Sequence, residues 1–153
     1  MISGAGGEDI LKVRDAMVSN VNSVSPSTPI IEVAHQMDVS GRGVISICDK
    51  DRFRGLITER DIVVNVVARA TDPVTEPASS IMNEHLPIVS PDDDIMEAVK
   101  VMGNSGVRAL PVMQSGKLLG VFTLEGLAEK SQALAAMVFS KTIKSQVVSR
   151  IKA

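Results

Sequence analysis

The sequence predicts an α+β protein built from two copies of a β-α-β-β-α unit, with a further helix after the second copy. Three observations carry this. Residues 13 to 62 overlay residues 78 to 127 at an offset of 65 without a gap, and eleven positions are identical. In each copy a short apolar stretch broken by Pro, a stretch of helical periodicity and two β-branched runs follow in the same order. Beyond Gly126 neither Gly nor Pro occurs, and Phe139, Ile143, Val147 and Ile151 step by four along a candidate helix.

Taken in order, residues 1–9 are Gly-rich and expected to be flexible, and Ile10 to Met17 is a helical or extended lead-in. The first repeat spans 10–70. Val24-Ser25-Pro26 is a short extended piece, and Pro29 suits the first turn of a helix capped by Thr28. Ile30, Val33, Ala34 and Met37 recur at helical spacing up to a stop at Gly41. Val44 to Cys48 and Phe53 to Ile57 are β-branched or apolar runs around a polar turn, which reads as a hairpin. A helix from Glu59 to about Ala70 would carry Ile62, Val63, Val66 and Val67 on one face. Prolines at 73 and 77 mark 71–77 as a linker. The second repeat, 78–130, repeats the pattern with Ile88-Val89, a helix through Ile95, Val99 and Met102, and strands Ala109 to Met113 and Leu118 to Phe122. Residues 131–153 form the C-terminal amphipathic basic helix, whose apolar stripe needs a partner surface.

Composition narrows the class of function. Apolar residues make up 44% of the chain and charged residues 22%, as in soluble globular proteins, and only three aromatics, all Phe, are present. The core must therefore be aliphatic and Met-rich. The net charge of −2 divides into +4 over residues 131–153 and −6 over the rest, so any attraction to nucleic acid rests on that tail alone. Cys48 lies in an apolar run and reads as core. No apolar stretch approaches the ~18 residues of a membrane span and the N-terminus lacks a signal pattern, so a cytoplasmic protein is expected.

The stretch Gly55 to Asp61 ends an apolar strand and opens a helix with Thr58 and Asp61 three apart. A Thr at N-cap with an acid at N3 is a variant of the capping box and needs no ligand to explain it. The second copy supplies a comparison, since Gly120 to Gly126 keeps the strand and Thr123 but loses the acid. No phosphate-loop lysine, nucleophile elbow or paired dinucleotide glycines occur, and His35 and His85 stand apart from any second ligand cluster. Asp92-Asp93-Asp94 reads as a charged helix start. An enzyme is not expected, and neither is a metal or a required cofactor.

Two gapless β-α-β-β-α copies, each with a strand ending in Gly-x-x-Thr, the second preceded by Gly106-Val107-Arg108-Ala109-Leu110-Pro111-Val112, resemble the cystathionine-β-synthase (CBS) domain family over residues 13 to about 130. The resemblance implies a Bateman module, in which two copies pack through their sheets with approximate two-fold symmetry and create two clefts. It implies adenosine-containing ligands: AMP, ADP or ATP first, with S-adenosylmethionine or NAD(H) as alternatives. In that family the motif Asp accepts from the ribose hydroxyls, the Thr lies near ribose and phosphate, and a basic residue of the other copy reaches the phosphates. It also implies a homodimer.

Carried over residue by residue, the pattern is asymmetric. Thr58 and Asp61 of the first copy with Arg108 of the second would complete one cleft; Thr123, Gly126 and Gly43 would leave the other impaired. A single tight nucleotide site per chain is expected. Arg60 and Arg42 are further phosphate contacts or solvated surface, the latter beside Gly43. Ile57, Val24 and Ile45 are either an adenine slot or plain core. The expected function is a regulatory module that senses an adenine nucleotide and signals to an effector protein. The alternative is a nucleic-acid or protein adaptor acting through the basic tail with the repeats as scaffold.

Overall fold

The computed structural model describes residues 11–130 and, beyond them, the single helical positions Gln132, Ala136, Ser140 and Ile151. Phe139, Ile143 and Val147 of the expected stripe, the basic residues of the tail and the Gly-rich start lie outside the described residues. Ile151 is 77% exposed.

The described chain runs α1 (Val13–Ala16), β1 (Ser23–Val24), α2 (Ile30–Ser40), β2 (Val44–Asp49), β3 (Arg52–Thr58), α3 (Glu59–Ile62), a π turn (Val63–Val67), a 3-10 turn (Ala78–Ser80), α4 (Ile95–Ser105), β4 (Ala109–Gln114), β5 (Lys117–Thr123) and α5 (Leu124–Lys130). It divides into two compact units: Asn20–Leu86, and a second assembled from the chain before and after it. The units are not the sequence repeats. Residues 11–18, which by sequence begin the first repeat, pack with the second, and residues 76–83 pack with the first.

In the first unit β1 runs parallel to β2, with Ser23 opposite Ser46, and β2 and β3 form the expected antiparallel hairpin. Val33, Met37, Ile45, Ile47, Ile57 and Ala78 form its buried cluster. Helix α2 begins one residue later than expected, at Ile30, with Pro29 at the N-cap and no side-chain cap. Thr28 instead bonds Ser25 through its hydroxyl. The linker replaces the missing cap, because the carbonyls of Glu76 and Pro73 accept from the N–H groups of Ile30 and Ile31.

The last helix of this unit departs most from expectation. After one α turn it widens, and Ala68 N–H and Thr71 N–H reach back five residues to Val63 and Val66. Widening shifts the phase of the face. Val66 is buried, whereas Val63 and Val67 are 57% and 69% exposed.

The second unit keeps the hairpin and its register at the same offset, Ala109 opposite Thr123 matching Val44 opposite Thr58. Its core contains Val13, Ala16, Val89, Ile95, Ala98, Val99, Met102, Leu110, Val112, Phe122 and Leu127. The expected strand at Ile88-Val89 is reduced to a single bridge, Val89 to Val112. Pro111 explains the loss. Its counterpart Ser46 donates its N–H to the Asn22 carbonyl at 2.9 Å, and Pro has no N–H to extend that ladder.

Helix α4 has a true cap, Asp94, whose carboxylate accepts from Met96 N–H at 2.8 Å. The other two acids of the triplet are also engaged: Asp93 with Ser90 N–H and Asp92 with the Arg14 guanidinium at 2.7 Å. Hydrogen bonding from Arg14 holds the Asp92 carboxyl below its ordinary range. Replacing Asp94 with Ala should cost about 1 kcal/mol and lower the melting temperature by roughly 3 °C. An unchanged melting curve would show that the cap contributes nothing.

Both units carry a strap of the same geometry. In the second, Val13 N–H bonds Asp93, Arg14 N–H bonds Pro91, and Val18 and Val121 exchange two bonds of 2.9 Å. In the first, Ala78 N–H bonds Thr28, Ser79 N–H bonds Pro26, and Asn83 and Leu56 pair in the same way. The glycines Gly55 and Gly120 follow from this, since a β-carbon there would meet the strap's backbone carbonyl at 2.6 Å and 2.5 Å.

Candidate functional site

Strand β3 delivers Thr58 to the mouth of the hairpin, opposite Val44, where the backbone is extended before α3 begins. The Asp61 Oδ2 atom accepts from the Thr58 N–H at 2.7 Å and from the Thr58 hydroxyl at 2.9 Å. The Asp61 N–H in turn points at the Thr58 hydroxyl oxygen at 3.4 Å, at the long limit of such a bond. The capping box is therefore formed. Both residues are partly exposed, and a carboxylate has lone pairs beyond the two bonds that Asp61 Oδ2 accepts.

The second unit uses the same Thr differently. The Thr123 hydroxyl accepts from Gly126 N–H at 3.0 Å, but Thr123 is only 4% exposed. A β-carbon on Gly126 would lie 2.8 Å from the Ala16 carbonyl oxygen and 3.0 Å from the Val18 Cγ2 atom. Here α5 continues as a regular helix with Gly126 and Leu127 buried, whereas α3 buries no residue. Position 126 is thus closed by packing as well as lacking an acid.

The remaining sequence-derived residues fall into two groups. Ile45 and Ile57 are cross-strand partners with no exposed surface, so in this fold they are core and offer a ligand nothing to touch. Val24 is half-buried against the same cluster and is the one of the three with an outward edge. Arg60 and Arg108 are exposed and Arg42 is half-exposed. Gly43 is filled from outside the strand by the Glu59 carboxylate, which packs where a β-carbon would project, and Glu59 N–H bonds the Gly43 carbonyl at 3.1 Å. That contact was not predicted. The signal available was Glu59 standing where the second copy has Leu124, opposite the exchange of Arg108 for Gly43.

Among the described residues no group of three His, Cys, Asp or Glu could hold a metal ion, and no helix is long and apolar enough to cross a membrane.

Two equivalent sheet-and-helix units, each with a Thr at the same strand-to-helix junction, define a paired-repeat binding scaffold. The chain belongs to the CBS domain family, whose model matches residues 13–68 and 78–132. CBS pairs are in general regulatory ligand-binding modules. An uncharacterized protein of Methanopyrus kandleri is 35% identical over 138 residues, covering 89% of this chain and 70% of that one. A crystal structure of Hypoxic Response Protein I with two coordinated zinc ions matches with a TM-score of 0.68 and 30% identity, over 79% of this chain and 99% of that one. A hexameric CBS-CP12 protein from bloom-forming cyanobacteria shares the fold with a TM-score of 0.74 at 24% identity, over 82% of this chain and 70% of that one.

Proposed function

We propose that this chain senses an adenosine-containing ligand, AMP, ADP or ATP before S-adenosylmethionine or NAD(H), through Thr58 and Asp61. The observation that carries the reading is the half-exposed Asp61 carboxylate, fixed by two bonds from Thr58 and still able to accept more. One carboxylate can take both vicinal hydroxyls of a ribose, and N–H groups at a helix start favour phosphate. Arg108 enters as the phosphate contact on the strength of the family resemblance, since guanidinium binds phosphate in a bidentate way. A cationic sulfonium ligand suits that Arg less well.

The protein acts by binding rather than by turnover, as a cytoplasmic homodimer that passes its ligand state to an effector protein. Binding changes the output only if the partner prefers one ligand state, by as much as the ligand's own differential affinity. A thermal-shift screen with AMP, ATP, S-adenosylmethionine and NADH tests this. At a hundredfold excess over Kd the native state gains about 2.7 kcal/mol, a shift of roughly 8 °C. If none of the four moves the melting temperature and the protein instead retains DNA or RNA in a salt-sensitive way, the adaptor reading replaces this one.

A further inference from the structure

We infer that the chain's own N-terminal strap, Leu11–Val18, is the resident occupant of the second repeat's ligand position and keeps it shut. The position equivalent to Asp61 is Gly126, and the space that a side chain would need there holds the Ala16 carbonyl oxygen and the Val18 methyl. The Thr123 hydroxyl, which faces that position, already has Gly126 N–H as a donor and is sealed from solvent. Among the described residues no comparable seal covers the first repeat. There Asp61 has its side chain in place and both it and Thr58 stay half-exposed, although residues 76–83 form the same strap contacts.

The strap is held by buried side chains and by polar ties at its surface. Val13, Ala16 and Val18 are buried and anchor it, while its polar ties, Arg14 and Lys12 to Asp92, lie on the exposed side. Its backbone grip includes the Val18–Val121 pair, the bonds of Val13 and Arg14 to the loop before α4, and the Leu11 carbonyl, which accepts from Ile95 N–H at 3.0 Å. The strap's Ala16 carbonyl and Val18 methyl and a side chain at position 126 cannot fill the same space, so the asymmetry between repeats is held by a contact within the chain. The inference leans on the nucleotide reading only in taking position 126 as the counterpart of a ligand-holding carboxylate.

Thiol accessibility tests it without any nucleotide. In a Cys48→Ser background, Thr123→Cys should react with a maleimide at least about a hundredfold more slowly than Thr58→Cys. Adding Gly126→Ala, whose methyl must push the strap's backbone aside, should bring the two rates within about tenfold. In Gly126→Ala alone, the Val18 and Val121 amides should exchange with solvent about tenfold faster or more, while Leu56 and Asn83 stay unchanged. That amide measurement decides the matter if Thr123→Cys does not fold. Equal labelling at the two Thr positions, or unaltered exchange at Val18 and Val121 in Gly126→Ala, would overturn the inference. A flat thermal-shift screen would sink the nucleotide reading and leave these results standing.

Discussion

Replacing Asp61 with Ala is expected to weaken nucleotide binding by roughly a hundredfold or more while lowering stability by only about 1 kcal/mol. The two numbers differ because the side chain has two kinds of partner. Towards ligand, a carboxylate accepting two hydroxyls makes two charge-assisted bonds, each worth about 1.5–3 kcal/mol. Towards the fold, it satisfies one N–H and one hydroxyl at a half-exposed helix start, where water can replace it. Asp61→Asn separates them further, since an amide oxygen can still cap Thr58 N–H but lacks the charge. Calorimetry and a denaturation curve on each variant give both quantities. If Asp61→Ala binds ATP as the native chain does, the Thr58–Asp61 pair is a helix cap and nothing more.

The second repeat supplies the control within one molecule. It keeps the Thr, the strand and the turn without an acid, and its helix α5 buries Gly126 and Leu127 where α3 buries no residue. A copy that forms the same strand-to-helix junction without an acid shows that the junction does not require one.

Much of this was legible from residue order, and the exceptions share a cause. Hairpins, the two longer helices and the Thr58–Asp61 cap depend on neighbours a few residues apart, so periodicity and capping residues announce them. The exchanged straps do not. Val13 pairs with Asp93 and Ala78 with Thr28 across long stretches of chain, and nothing local marks residues 11–18 as belonging with the second copy. The π turn escaped for a related reason: four valines at 63, 64, 66 and 67 fit several helical phases, and packing chooses among them. Gly126 read as a missing acid, when the packing shows a residue that must be small because the strap lies against it. Pro111 is the converse, a residue whose effect on the neighbouring strand was available in advance from its lacking N–H.

The identity of Gly55 and Gly120 between the copies follows from the straps, and it yields the largest expected loss of stability. In Gly120→Ala the new β-carbon would sit 2.5 Å from the Val18 carbonyl oxygen and 3.2 Å from the Met17 sulfur. Met17 can swing away, but a carbonyl in the backbone cannot. The strap must therefore lift, and lifting breaks the paired Val18–Val121 bonds and uncovers Val13 and Ala16. Overpacking of about 1–3 kcal/mol and two lost bonds of about 1 kcal/mol each sum to roughly 4 kcal/mol, or a fall of about 12 °C in melting temperature. Gly55→Ala meets the Asn83 carbonyl at 2.6 Å and should cost a similar amount, with exchange accelerated at Leu56 and Asn83 instead. Gly103→Ala, with nothing within 4 Å of the added carbon, should be neutral or slightly stabilising within α4. Calorimetric scans of the three variants decide the point: equal melting temperatures would mean that the straps yield without cost and that their glycines have another origin.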